Sequence, residues 1–240
     1  MEKLREYAKE LGIELSNEQI HLFKTYFEML IETNKVMNLT AITEIDEVII
    51  KHFIDSILLI KVYPNLLNNE GISIKILDLG TGAGFPGIPL KIVFSDIEIV
   101  LMDSLNKRVI FLQKVIDELK LSNITAVHGR AEEMARRKEY RENFDLCVSR
   151  AVANLSTLSE YCIPFVKKDG HFISYKASDV ETEVENAKNA IKILGGNLTA
   201  VKKLTLPGTE IDRSFIIIEK NKSTPKTYPR KAGTASKDPL

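Results

Sequence analysis

Tryptophan is absent from the chain and cysteine occurs only twice, at Cys147 and Cys162. Their spacing matches no zinc or redox motif and their neighbours are apolar, so a disulfide framework and a cysteine metal site are excluded and reduced core thiols are expected. Charge of one sign is also lacking, with Lys+Arg 33 against Asp+Glu 33. Global charge therefore gives no argument for nucleic acid or membrane, and any basic surface must be local. No uninterrupted apolar run approaches the ~18 residues of a membrane span. The N-terminal Met-Glu-Lys-Leu-Arg-Glu carries charge where a signal peptide needs its apolar segment. These absences predict a cytoplasmic protein with no membrane partner. His21, His128 and His171 have no metal-ligand companions, so no metal is assigned. The chain shows no internal repeat and no low-complexity segment. What is present is enough apolar residue, 44% of 240, for one substantial core.

The hydrophobic pattern divides the chain into three parts. In residues 1–66 apolar residues recur at helical spacing: Ser16 and Gln19 form a capping box, followed by Ile20, Phe23, Phe27, Leu30 and Ile31. A second helical stretch runs from Thr43 to Pro64, broken from the first by Asn38-Leu39-Thr40. Residues 67–220 alternate short apolar runs with amphipathic helices, the pattern of a parallel sheet covered on both faces. The expected strands are Ile74 to Leu79, Ile97 to Met102, Ile124 to Val127, Phe144 to Ser149 and His171 to Tyr175. The expected helices are Pro86 to Phe94, Asn106 to Leu119, Leu155 to Phe165 and Val180 to Leu194. Leu198 to Leu206 and Phe215 to Glu219, joined through Pro207-Gly208, read as a closing antiparallel hairpin. The fold class is thus α/β: a Rossmann-like, mostly parallel seven-stranded sheet with helices on both faces and an N-terminal helical extension. Residues 221–240 form a basic tail poor in core-forming residues.

Chemistry concentrates where the first strand meets its helix, at Asp78-Leu79-Gly80-Thr81-Gly82-Ala83-Gly84-Phe85-Pro86-Gly87. Glycines permit a sharp turn and close approach to a ligand, and the helix start offers unpaired amides. Gly82, Gly84 and Gly87 fit the dinucleotide pattern GxGxxG. The match lies two residues late, however, and Asp78 would repel a pyrophosphate. S-adenosylmethionine (SAM) carries an ammonium and a sulfonium, which a carboxylate at the strand tip attracts, and this selects SAM over NAD. Asp103 ends the second strand at about the ~20-residue spacing suited to ribose hydroxyls. At the third strand, Ala131 and Glu132 offer an amide and a carboxylate for adenine. The bland alternatives are a helix cap for Asp103 and a solvated first-turn acid for Glu132.

Ligands of such sheets gather at the carboxyl ends of the strands, so Ser149-Arg150-Ala151-Val152 is expected to face the methyl acceptor. The Asp/Asn-Pro-Pro-aromatic motif of amino-methylating enzymes is missing, and neither cysteine is placed for the covalent adduct of pyrimidine carbon-5 methylation. An acceptor with a free lone pair needs neither device; guanine N7 is one.

The chain resembles the guanine-N7 methyltransferases of bacterial small-subunit ribosomal RNA, formerly called glucose-inhibited division protein B. The resemblance spans nearly the whole chain. It rests on Asn38-Leu39-Thr40-Ala41-Ile42, Lys51-His52-Phe53-Ile54-Asp55-Ser56, Asp78 through Lys91, Asp103-Ser104 with Lys107-Arg108, His128-Gly129-Arg130-Ala131-Glu132, Ser149-Arg150-Ala151-Val152-Ala153 and Tyr228-Pro229-Arg230-Lys231. Ala235 departs from it, standing where proline is expected. The resemblance implies SAM bound by Gly80, Phe85, Ala131, Glu132 and Arg150, with Asp78 and Asp103 in support. It implies 16S ribosomal RNA or the small subunit as partner, and positioning roles for Arg150, Asn38 and His52 with no general base. Phe85 is read as covering the cofactor or as packing on the sheet. His52 and Asp55 are read as catalytic or as a helix pair, Asn38 as shaping the substrate pocket or a capping turn. Arg136, Arg137, Lys138 and Arg141 are read as meeting RNA backbone or as solvated charges. Other functions open to the fold are a small-molecule or protein methyltransferase, or a non-catalytic SAM- or RNA-binding module. A monomer is favoured.

Overall fold

The computed structural model describes residues 1–67, 73–150, 153–177 and 179–240. Seven strands form one sheet: β1 (Lys75–Leu79), β2 (Glu98–Asp103), β3 (Ile124–His128), β4 (Phe144–Arg150), β5 (Val166–Lys176), β6 (Gly196–Thr205) and β7 (Asp212–Lys220). Their order is β3-β2-β1-β4-β5-β7-β6, and only the pairings made by β7 are antiparallel. The final hairpin therefore does not merely extend the sheet: β7 lies between β5 and β6, because the 181–193 helix carries the chain past β5 before β6 is laid down. Direction reverses at β1, whose neighbours are β2 and β4. Such a switch point leaves a crevice at the carboxyl ends of the strands.

Alternate strand residues enter two separate cores, as the two-residue period of a strand requires. Ile76, Ile99, Leu101, Leu146 and Ile173 share a cluster with Leu4, Phe23, Tyr26, Phe53 and Phe111, so the N-terminal helices and the sheet have one core. Leu77, Val100, Met102, Cys147 and Phe172 face the other way, onto Leu158, Val184, Ala187 and Ile191. Both faces of the central strands are covered, which is why those strands are largely apolar.

The capping box forms as expected: Ser16 Oγ accepts from the Gln19 amide at 3.1 Å and Gln19 Oε1 from the Ser16 amide at 2.9 Å, at the start of the helix Asn17–Asn34. The second helical stretch is continuous over 45–61 but is not a uniform α-helix. Ile49–Ile54 is a π-turn. In it the Asp55 amide donates to the Ile50 and His52 carbonyls, not to Lys51. The tail does build structure: Thr224 and Ala235 are buried, and Tyr228 packs on the second core. Arg136, which is exposed, and Arg141, which is half-buried, donate to tail carbonyls, including Arg141 to Tyr228 at 2.9 Å and to Thr224 at 2.8 Å. Few apolar residues suffice there because guanidiniums satisfy the tail's backbone.

Candidate active site

Two hollows open at the carboxyl edge of the sheet, and the β1/β4 switch divides them. The first, ≈ 170 Å³, lies over β1, β2 and β3 and is lined by Leu79, Gly80, Met102, Asp103, Ala131, Glu132 and Tyr161, among others. The second, ≈ 390 Å³, lies over β4, β5 and β7, with Lys51, His52, Asp55, Arg150, Lys176 and Arg213 in its wall.

The glycine turn between β1 and the helix Gly87–Val93 is tied down by two acids. Asp78 is wholly buried beneath it; Oδ2 accepts from Thr81 Oγ1 at 2.6 Å and from the Gly87 amide at 2.8 Å, while Oδ1 has no hydrogen-bond partner. Burial pushes its carboxyl up to about 7, against the pull of those hydrogen bonds and of Arg150. A Cβ at Gly87 would stand 2.2 Å from Leu101 Cδ2, so only glycine lets the turn close over Asp78. At Gly82, φ is +62° and the amide donates to Asp103 Oδ2 at 2.9 Å. Asp103 Oδ1 takes the Leu105 amide at 2.9 Å. Asp103 is thus not a helix cap: the N-cap is Leu105, which has no side-chain cap bond. Nor is Glu132 a solvated acid, being 7% exposed with Oε1 accepting from the Gly233 amide at 3.0 Å.

Around the second hollow the sequence pairing of His52 with Asp55 gives way to a cluster centred on Arg150. Asp55, 1% exposed, accepts Arg150 Nη1 on Oδ2 and Arg213 Nε on Oδ1, each at 2.8 Å. Arg150 Nη1 also reaches the Lys51 carbonyl in the π-turn at 3.1 Å, and its guanidinium lies 5.1 Å over the Phe85 ring. His52 Nε2 meets Thr40 Oγ1 at 2.8 Å, and Nδ1 meets the Lys51 carbonyl at 3.0 Å and Arg150 Nη2 at 3.3 Å. Burial, then the charge of Arg150, lowers the ring to about 4, so it is neutral near pH 7.

Of the residues singled out in the sequence, Gly80, Asp103, Ala131 and Glu132 therefore line the first hollow, and Arg150 and His52 the second. Asp78, Gly82 and Gly84 shape the turn between them. Phe85 lines neither: its ring stacks on His52 at 4.5 Å and lies 5.5 Å from Tyr26, because the turn delivers it onto the N-terminal helices. Asn38 is exposed and outside both hollows; the turn there is held by Asn34, whose Oδ1 accepts from the Leu39 and Thr40 amides at 2.8 and 3.0 Å. Ala151 and Val152 lie outside the described residues. Sequence reading missed Arg213, Lys176 and Tyr161. Arg213 had a usable signal: an antiparallel strand begins at the edge where its parallel neighbours end.

Strand order, switch point and acid-tipped first hollow together define a methyltransferase of the SAM-dependent kind. A family profile described as rRNA small subunit methyltransferase G matches residues 19–214. Curated relatives named Ribosomal RNA small subunit methyltransferase G are 52% identical in Lachnoclostridium phytofermentans, over 97% of this chain and 94% of that one, and 50% identical in Desulforamulus reducens, over 99% and 97%. The chain belongs to the rRNA small subunit methyltransferase G family. Among solved structures, the YcgJ protein of Bacillus subtilis shares the fold, with TM-score 0.52 and 13% identity over 70% of this chain and 99% of that one. Among the described residues, no helix is long and apolar enough to cross a membrane and no cluster of His, Cys, Asp or Glu is placed to hold a metal.

Proposed function

We propose that the chain transfers a methyl group from SAM to N7 of a specific guanine in 16S ribosomal RNA, acting on the RNA or the small subunit. One observation carries this reading: a hollow lined by Asp103 and Glu132 and an arginine-centred hollow meet at the same switch point, and among the described residues neither wall presents an activated nucleophile. The donor set of the first hollow fits SAM. Asp103 and Glu132, against Arg130, oppose a polyphosphate cofactor, and Leu79 and Met102 supply an apolar floor. When bound, SAM supplies a methyl carbon activated by a positively charged sulfur.

The chain's own residues then bind, orient and exclude water. Asp103 takes ribose hydroxyls, Ala131 and Glu132 hold adenine, and Gly80 with the turn gives close backbone approach, with Asp78 and Asp103 fixing its shape. Arg150, clamped by Asp55 and Phe85, presents its guanidinium to the acceptor base or to a phosphate. His52 orients Arg150 and needs no proton exchange. Guanine N7 already carries its lone pair, so no residue has to remove a proton, and rate is gained from placing the two reactants at near-attack distance. The base must come from an unstacked or single-stranded region, because the groove of an RNA helix that carries N7 is too narrow for side chains.

Incubation with labelled SAM and small subunits, followed by nucleoside analysis, tests this. Label is expected in 7-methylguanosine. Label in protein, in a small molecule, or nowhere despite competent subunits overturns it.

A further inference from the structure

The segment after β7 is anchored by one buried acid. Glu160, on the helix Leu155–Cys162, is 1% exposed. It takes the Arg230 side chain through Nε on Oε1 at 3.0 Å and Nη2 on Oε2 at 2.7 Å, and the Arg230 amide on Oε1 at 2.6 Å. One turn earlier, Thr157 Oγ1 donates to the Ala235 carbonyl at 2.8 Å. That contact uses only a carbonyl, which a proline at this position would keep. Between these anchors stands Gly233, whose amide holds Oε1 of Glu132. Tyr161, next to Glu160, lines the same first hollow, and its hydroxyl meets the Ser236 side chain. Two residues of the hollow's wall, from two different helices, thus end on the tail.

We propose that the tail around 228–236 backs the wall of the first hollow, and that Glu160, acting through Arg230, is a positioning residue that holds the Gly233 amide against Glu132. A glutamate at a pocket rim is free to sample several rotamers, and each ligand contact has to oppose that freedom. The Gly233 amide fixes one oxygen and so removes part of that freedom. Arg230 faces inward, so this basic residue belongs to the cofactor side of the molecule and not to the RNA surface.

The inference rests on the first hollow being the SAM site, and its test separates the two. With the full-length chain, binding of S-adenosylhomocysteine (SAH) is measured by calorimetry, and amide hydrogen exchange at 233–235 is followed with and without SAH. In the wild type SAH slows exchange at these amides, since coupling between tail and ligand is reciprocal. Glu160→Gln weakens SAH about tenfold and raises KM for SAM by a similar factor with a smaller change in kcat. Arg230→Lys falls between Arg230→Ala and the wild type. A wild type that binds SAH with no change in exchange at 233–235 overturns the proposal, even if every variant fails to fold. So does unaltered SAH affinity in a folded Glu160→Gln chain. A wild type that binds no SAH at all sinks the reading of the hollow itself.

Discussion

His52 and Asp78 pull the pH dependence of stability in opposite directions. The His52 ring is lowered from 6.5 to about 4, so below 6.5 the unfolded chain takes up a proton that the folded chain refuses. Its contribution is complete above 6.5 and is lost as pH falls toward 4, a change of about 3 kcal/mol. Asp78 is raised from 3.8 to about 7, so the folded chain keeps a proton that the unfolded chain has released. Its contribution is complete below 3.8 and is lost as pH rises through 7. Between pH 4 and 6.5 the two slopes, each about 1.4 kcal/mol per pH unit, oppose one another. Urea denaturation across that window should show His52→Gln losing stability with rising pH relative to the wild type, and Asp78→Asn gaining it. Parallel curves for all three chains would remove both assignments. The acids and glycines of the turn were legible in the sequence because strand, acid and glycine are local neighbours. Asp55 was seen only as a partner for His52, since its two guanidiniums come from residues 150 and 213 and are joined to it by topology alone.

At the level of elements, the Asp55 carboxylate ties the helical stretch 45–61 to the ends of β4 and β7. Removing one member of a buried charge cluster leaves the others unpaired, which costs about 3 kcal/mol. Asp55→Ala should therefore lower the unfolding free energy measured in urea by that amount and reduce methylation of small subunits, while Asp55→Asn, which keeps one hydrogen-bonding oxygen, should lose less stability. Equal behaviour of the two would mean that charge pairing is not what joins these elements. Most strands and helices of the sheet were readable to within a residue or two, because doubly covered strands are largely apolar and the helices keep their period, but β5 begins at Val166 and β7 at Asp212, in polar stretches ahead of the expected His171 and Phe215. The π-turn at Ile49–Ile54 was not: its residues keep a helical apolar pattern, and the wider turn shows itself only when the Lys51 carbonyl is found in the hands of Arg150. The tail misled for a related reason. Its arginine-satisfied backbone does not register as core in a hydrophobic pattern.

For the molecule as a whole, the first hollow draws its wall from the ends of β1 and β2, the turn after β3 and two helices, with the tail bonded behind them, so a ligand there should stabilise the entire fold. SAH at about 100 times its Kd should add about 2.7 kcal/mol to the unfolding free energy, seen as an upward shift of the thermal midpoint. A shift smaller than the measured Kd requires would indicate that part of the chain unfolds independently of the site. The order of the sheet was only partly legible. A terminal hairpin was evident from Pro207-Gly208, but which of its strands would touch β5 is set by the crossover and not by either strand's own residues.

That placement of β7 bears on how the protein is made. Because synthesis runs from the N-terminus, β6 emerges before the strand that must join it to β5, and it has no hydrogen-bonding neighbour until residues 212–220 follow. Until then β5 presents an unpaired flank to the crowded exit of the translating ribosome, a template for mispairing with other nascent chains. Arg213 arrives with the same late strand, so the basic hollow is completed only when the sheet itself is.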